Sequence, residues 1–175
     1  NARVAPTAIA AIGFDATCSI VVRGQDGEQV TVSSLGEARW DTIAWLDHRA
    51  AVEADRCTAT GHEVVSHSGG AISPEMATPK LAWLKTHRPE SWARAGHFFD
   101  LADFLTWRAS GSTHRSVCTL GCKWAYLAHR DEPWPREYLN AIGIGDMLER
   151  GGMPALAMPV GTNLGPLTQA AAADL

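Results

Sequence analysis

Acidic, hydroxyl and basic side chains recur at the ends of apolar runs along this chain. Asp15, Thr17 and Cys18 follow "AIAAIGF", Asp47, His48 and Arg49 follow "TIAWL", and Asp100 and Asp103 follow "HFF". In open α/β sheets, ligands settle beyond the carboxyl ends of strands, where loops and helix N-termini present unpaired donors. A rim mixing carboxylates with an arginine suits a polyhydroxylated ligand, because each hydroxyl both donates and accepts. Every aspartate also has a local alternative, capping the helix that follows it. Lys123, in "GCKWAY", is the matching cation: it either aims at a ligand oxygen or lays its stem on the surface with its charge in water.

Other constellations are weaker. His62, His67 and Glu75 could ligate a metal, yet nothing in their spacing fixes a geometry. Cys118 and Cys122 lie four apart on a helix-like stretch, which would support a zinc site only with further ligands. Seven tryptophans invite sugar stacking, although several fall on apolar helical faces; Trp45 and Trp124 stand beside polar candidates. No glycine-rich phosphate loop is present, and "SHSGG" is not a nucleophile elbow.

The elements that must hold these residues alternate between strand and helix. Residues 8–15 read as a short buried strand ending at Asp15. "CSIVVRGQDGEQVTV" reads as two strands about a turn at Gly24–Gly27, where Asp26-Gly27 supplies positive-φ chemistry. "TIAWLD" reads as another strand, placing Asp47 at a strand-to-helix junction, and "HRAAVEADRCTATG" as a helix stopped by Gly61. Thr78-Pro79 predicts a helix start with Thr as N-cap, running to Arg88-Pro89. "ESWARAG" predicts a short helix, "HFFDL" a strand and "ADFLTWRASG" a helix closed by glycine. "RSVCTLGCKWAYLAHR", "PREYLNAIG" and "IGDMLERGG" all read as helical, and a Pro/Gly-rich passage precedes Ala170–Ala173. The expected class is α/β.

With 175 residues and 46% hydrophobic content, the chain can bury a sizeable core. A net charge of −4 with scattered basic residues argues against nucleic acid or membrane surfaces as partners. Four cysteines at this density predict reduced thiols in a cytoplasmic protein. A chain opening in a strand-like run and closing in a helix-like one reads as an excerpt of a longer protein.

In succession, "GFDATCSIVV", "WLDHRAAVEAD", "GHEVVSHSGGAISPEMATPKLAWLK", "FFDLADFLTWRASG" and "CTLGCKWAY" resemble the FGGY carbohydrate kinases, most closely the ribulokinase and ribitol or D-ribulose kinase branch. The resemblance runs from about Ile9 onward. "KLAWLKTH" fits the second half of the family's first signature, whereas Ala77 stands where that pattern has Pro, Ser or Thr.

The resemblance implies an ATP-dependent phosphotransferase with two actin-like, ribonuclease-H-like α/β domains, a pentulose or pentitol between them, and Mg-ATP held largely by the second. Residues 1–175 would be part of the first, sugar-binding domain. It implies sugar contacts for Asp15, Ala16, Thr17, Cys18, Asp47, Arg49, Glu75, Asp103 and Lys123. The phosphate-binding hairpin would precede Asn1, and the catalytic aspartate would follow Leu175. This stretch alone is thus expected to be inactive. A homodimer is compatible with the family. A non-catalytic sugar-binding or regulatory module is the alternative, and a zinc-supported structural domain a third.

Overall fold

A computed structural model describes residues 4–174. Its sheet is built on β1 (Ile20–Arg23), whose Ile-Val-Val run is buried throughout, as β-branched residues in a central strand require. β2 (Thr42–Ile43) and β3 (His97–Asp100) flank it, giving the order β2-β1-β3 with both neighbours antiparallel. The register sets Ile20 opposite Asp100 and Val22 opposite Phe98. Asp100 thus ends its strand beside the start of β1.

The turn after β1 forms where the Asp-Gly pair predicts it. The Gly27 amide donates to the Gly24 carbonyl at 3.0 Å, and Gly27 has φ +84°. A Cβ there would sit 2.9 Å from the Trp107 ring, so the site needs glycine for space as well as for backbone angle. The returning limb is shorter than expected: only an Arg23–Gln29 bridge pairs regularly, while Val30 and Val32 still enter the core.

The predicted strand at residues 8–15 does not form. Pro6–Ala8 make a single 3-10 turn, residues 9–19 join no ladder, and Ile9, Ile12 and Phe14 are exposed. A strand needs a neighbour's backbone groups, and both edges of β1 are already taken by β2 and β3. The apolar pattern is strand-like, but no strand forms, because no partner for it lies among the described residues.

The helices largely follow the expected succession. They are α1 (Ala51–Ala59), α2 (Glu63–His67), α3 (Ala77–His87), α4 (Pro89–Arg94), α5 (Leu101–Ser110), α6 (Val117–Lys123), α7 (Arg136–Ala141), α8 (Met147–Arg150) and α9 (Gln169–Asp174). α3 begins earlier than Thr78-Pro79 suggested: Met76 is its N-cap residue, and both Thr78 and Pro79 fall in its first turn. α5 ends at Gly111 with φ +76°. α6 is much shorter than the sixteen-residue stretch "RSVCTLGCKWAYLAHR" promised, because Ala125 takes φ +61° and turns the chain out of the helix. Leu81, Leu84, Phe98, Leu120, Trp124, Tyr138 and Leu139 pack into one core between sheet and helices.

Candidate functional site

The loop joining β2 to α1 carries Asp47 and Arg49, and two buried side chains hold it. The Ser19 hydroxyl accepts the Trp45 amide at 3.1 Å. From the other side, the Lys80 ammonium donates to the carbonyls of Ala44 and Trp45, both at 2.7 Å. Lys80 is only 1% exposed although it lies in the first half of α3. Burial pushes its ammonium down to about 8, while Asp47 and Glu75 pull in the opposite direction. Lys123 and Cys18 are also close enough to act on that charge. Hydrogen bonds therefore join three segments far apart in sequence here: Ser19 before β1, the loop after β2, and Lys80 of α3.

Within the loop, Asp47 and Arg49 form a short-range clamp. The Arg49 guanidinium meets the Asp47 carboxylate at 2.7–3.1 Å, and the Arg49 amide reaches the same carboxylate at 2.9 Å. Burial tends to raise the Asp47 pKa, but the Arg49 hydrogen bonds outweigh it and hold the carboxyl below its ordinary range. Arg49 also lies over the Trp83 ring at 4.2 Å, fixing the guanidinium against α3. Glu75 sits opposite His48, with Nε2 and Oε1 3.2 Å apart.

Cys18 and Lys123 lie outside this loop. Both are half-buried. Burial and the Asp100 carboxylate raise the Cys18 thiol, and Lys123 opposes them. Lys123 is the last residue of α6, so its position depends on how that helix is held. Asp103 does part of this: it accepts the Ser116 amide at 2.9 Å and the Thr119 hydroxyl at 2.6 Å. The Asp103 carboxylate is buried, with both oxygens committed to the first turns of α6. It lies behind the rim as a brace.

The remaining candidates are more peripheral. Asp15 and Thr17 are exposed and Ala16 is half-buried. The Thr17 and Ser19 hydroxyls lie 3.3 Å apart, which ties this segment to the Trp45 loop through Ser19. His62 is occupied locally, its Nδ1 accepting the Val64 amide at 3.2 Å to cap α2. His67 packs against His129, and the four cysteines are free thiols. Among the described residues, no group of three His, Cys, Asp or Glu side chains is arranged to hold a metal ion. A cavity of about 270 Å³ opens between Met76 and Cys122, the sequence neighbours of Glu75 and Lys123. A larger hollow of about 560 Å³ lies around His62, Arg130 and Trp134, and none of the predicted sugar contacts lines either cavity.

The profile of the FGGY family of carbohydrate kinases, N-terminal domain, matches residues 4–174. The chain belongs to that family. Among FGGY relatives, it is 47% identical to an FGGY carbohydrate kinase domain-containing protein of Danio rerio over 169 residues, covering 94% of this chain and 30% of that protein. It is 36% identical to a D-ribulokinase of Saccharomyces cerevisiae over 150 residues, 82% of this chain and 21% of that protein. The chain thus spans about a third or less of the relatives' length. A gluconate kinase from Lactobacillus acidophilus superposes with TM-score 0.67 at 17% identity, covering 90% of this chain and 29% of the other. A xylulose kinase from Bifidobacterium adolescentis gives TM-score 0.60 at 15% identity, covering 83% and 34%. The fold is that of the FGGY sugar kinases, an actin-like α/β fold of which this chain holds part.

Within this FGGY domain, sequence reasoning passed over two residues that organise the rim. Lys80 stands in the "KLAWLK" stretch, but a lysine in a helix reads as solvated unless its burial is known. Ser19 was visible as one of the polar residues of "GFDATCSIVV", and only its bond to Trp45 shows that it is a tether.

Proposed function

We propose that the full-length protein is an ATP-dependent kinase of a pentulose or pentitol in the cytoplasm, and that residues 4–174 supply part of its sugar site. The observation that carries this reading is the loop bearing the Asp47–Arg49 pair, held by Ser19 on one side and by Lys80 and Trp83 of α3 on the other, from segments far apart in sequence. Asp47 and Glu75 offer acceptor oxygens, Arg49 and Lys123 offer donors, and a sugar hydroxyl needs one of each. The ribulokinase among the relatives supports a five-carbon substrate.

This stretch does not fit a magnesium nucleotide. The Asp47 carboxylate is engaged by Arg49, Glu75 faces His48, and the sequence offers no phosphate-cradling loop. ATP and Mg2+ belong in this reading to the rest of the protein, and the residues described here bind and orient the sugar. Phosphoryl transfer depends on such positioning together with neutralisation of the transferring charge, so this stretch alone is inactive. Asp15, Ala16, Thr17 and Cys18 line the floor of the cleft, Asp47, Arg49, Glu75 and Lys123 grip hydroxyls, and Asp103 serves by holding α6.

The test is phosphate transfer from labelled ATP by the full-length protein across a panel of pentuloses and pentitols, with Asp47→Ala and Lys123→Ala alongside. Both variants are expected to weaken sugar binding roughly tenfold or more while nucleotide affinity holds, the effect of losing a hydrogen bond to a charged group. No transfer to any member of the panel, or equal loss of sugar and nucleotide affinity, would overturn the reading.

A further inference from the structure

A fully buried lysine is rare unless a carboxylate neutralises it, and Lys80, 1% exposed, has no such partner. Among the described residues its ammonium forms no salt bridge. Two of its three N–H groups go instead to the adjacent carbonyls of Ala44 and Trp45, each at 2.7 Å. Apolar packing alone would be better served by leucine or methionine at this place on α3. Two charge-assisted bonds to neighbouring carbonyls fix the path of a stretch of backbone.

That stretch places Asp47. The Ala44 carbonyl held by Lys80 also accepts the Asp47 amide at 3.0 Å, closing a turn over residues 44–47. Trp45, inside the turn, is gripped on both sides: its amide donates to the Ser19 hydroxyl at 3.1 Å, and its carbonyl accepts from Lys80. Asp47 then meets Arg49, which lies over Trp83, three residues beyond Lys80 on α3. Of these two contacts from α3, the arginine one keeps its charge at every working pH. The lysine one does not, because burial brings its ammonium down to about 8. The charged groups acting on it are Asp47 of the loop, Glu75 ahead of α3 and the Cys18 thiolate, which favour the proton, and Lys123 of α6, which opposes it.

We propose that Lys80 is a proton-dependent positioning residue of the sugar site: its charged ammonium, bonded to the Ala44 and Trp45 carbonyls, sets the turn that presents the Asp47–Arg49 pair, and loss of the proton slackens that turn. The kinetic consequence rests on the sugar-site reading; the proton-dependent hold on the loop does not. A neutral amine still carries two N–H groups but lacks the charge that strengthens both bonds. Global stability moves the other way. A lysine whose proton affinity falls on folding adds stability as pH rises from about 8 toward its ordinary range, since the unfolded chain then binds more protons. Sugar affinity and overall stability thus run in opposite directions through one pH window, which a merely structural lysine does not produce.

The experiment uses the full-length protein with Lys80→Met and Lys80→Arg. Between pH 7 and pH 9 the wild-type sugar KM rises about tenfold, while kcat and the ATP KM change little. Lys80→Met shows the raised KM already at pH 7 and no further rise, and Lys80→Arg, which cannot lose its charge, stays flat near the wild-type pH 7 value. Measured against Lys80→Met, the wild-type urea midpoint climbs over the same range. A wild-type sugar KM that ignores pH, an equal rise in Lys80→Met, or sugar and ATP constants rising together overturns the proposal. If Lys80→Arg does not fold, wild type against Lys80→Met still decides it. Independently of activity, protection of the Trp45 and Asp47 amides against exchange, corrected for the intrinsic rate, falls between pH 7 and pH 9 in wild type and is low at both in Lys80→Met. Unchanged wild-type protection refutes the hold even if the sugar reading stands. Falling protection in a protein that phosphorylates no pentulose or pentitol keeps the hold and removes its role in sugar binding.

Discussion

The Thr119 hydroxyl stands 2.6 Å from the Asp103 carboxylate and joins α5 to α6 across their first turns. With the Ser116 amide on the other oxygen, the carboxylate does the work of a helix cap from a distance. Asp103→Ala in the full-length protein is expected to lower stability by roughly 1–3 kcal/mol, since it leaves a part-buried amide and hydroxyl without their acceptor. Asp103→Asn, which keeps one acceptor oxygen, should lose about half of that. Urea midpoints check it; an Asp103→Ala midpoint equal to wild type would show that α6 is held by its apolar face alone.

Lys80→Ala tests the loop. Removing the ammonium strands the Ala44 and Trp45 carbonyls, and the expected cost is roughly 1–3 kcal/mol, moderated by water reaching an exposed loop. The more telling readout is amide exchange at residues 44–49, which should accelerate well beyond that of α3 itself. Uniform acceleration across the domain would mean that Lys80 merely contributes to the core.

A buried carboxylate gives stability a pH signature. Burial raises Asp100 to about 6, Asp103 adds repulsion, and the Ala102 amide and Trp124 pull it back only in part. The folded state therefore holds this proton more tightly than the unfolded chain, and the Asp100 contribution to stability falls as pH rises from near 4 to about 6. Asp100→Asn lacks this loss. Its stability relative to wild type should climb across that window by on the order of 2–3 kcal/mol. Denaturation midpoints at pH 4, 5 and 7 measure it, and a pH-independent difference would rule out an ionising Asp100.

What the sequence revealed and what it concealed divide along physical lines. The α5 boundaries were legible because Asp100 and Gly111 are local signals, a cap and a left-handed stop. The α1 stop at Gly61 was legible for the same reason. The failed strand at residues 8–15 was not, because pairing depends on which edges of β1 are free, and no local pattern encodes that. The length of α6 was hidden too, since an alanine at φ +61° has no sequence signature. At the candidate site, Asp47 and Arg49 stood out as a polar pair after an apolar run, and the structure brings them into one ion pair. Lys80 could not, because its burial follows from packing and from the two carbonyls that happen to face it.

Lys80 and Trp83 are one turn apart on α3 and share a face, and both hold the same loop, one by its carbonyls and the other through the Arg49 guanidinium. That makes the loop after β2 the cargo of a rod instead of a free flap. Any displacement of that loop therefore has to strain contacts made by α3, which runs on to Arg88, where α4 begins.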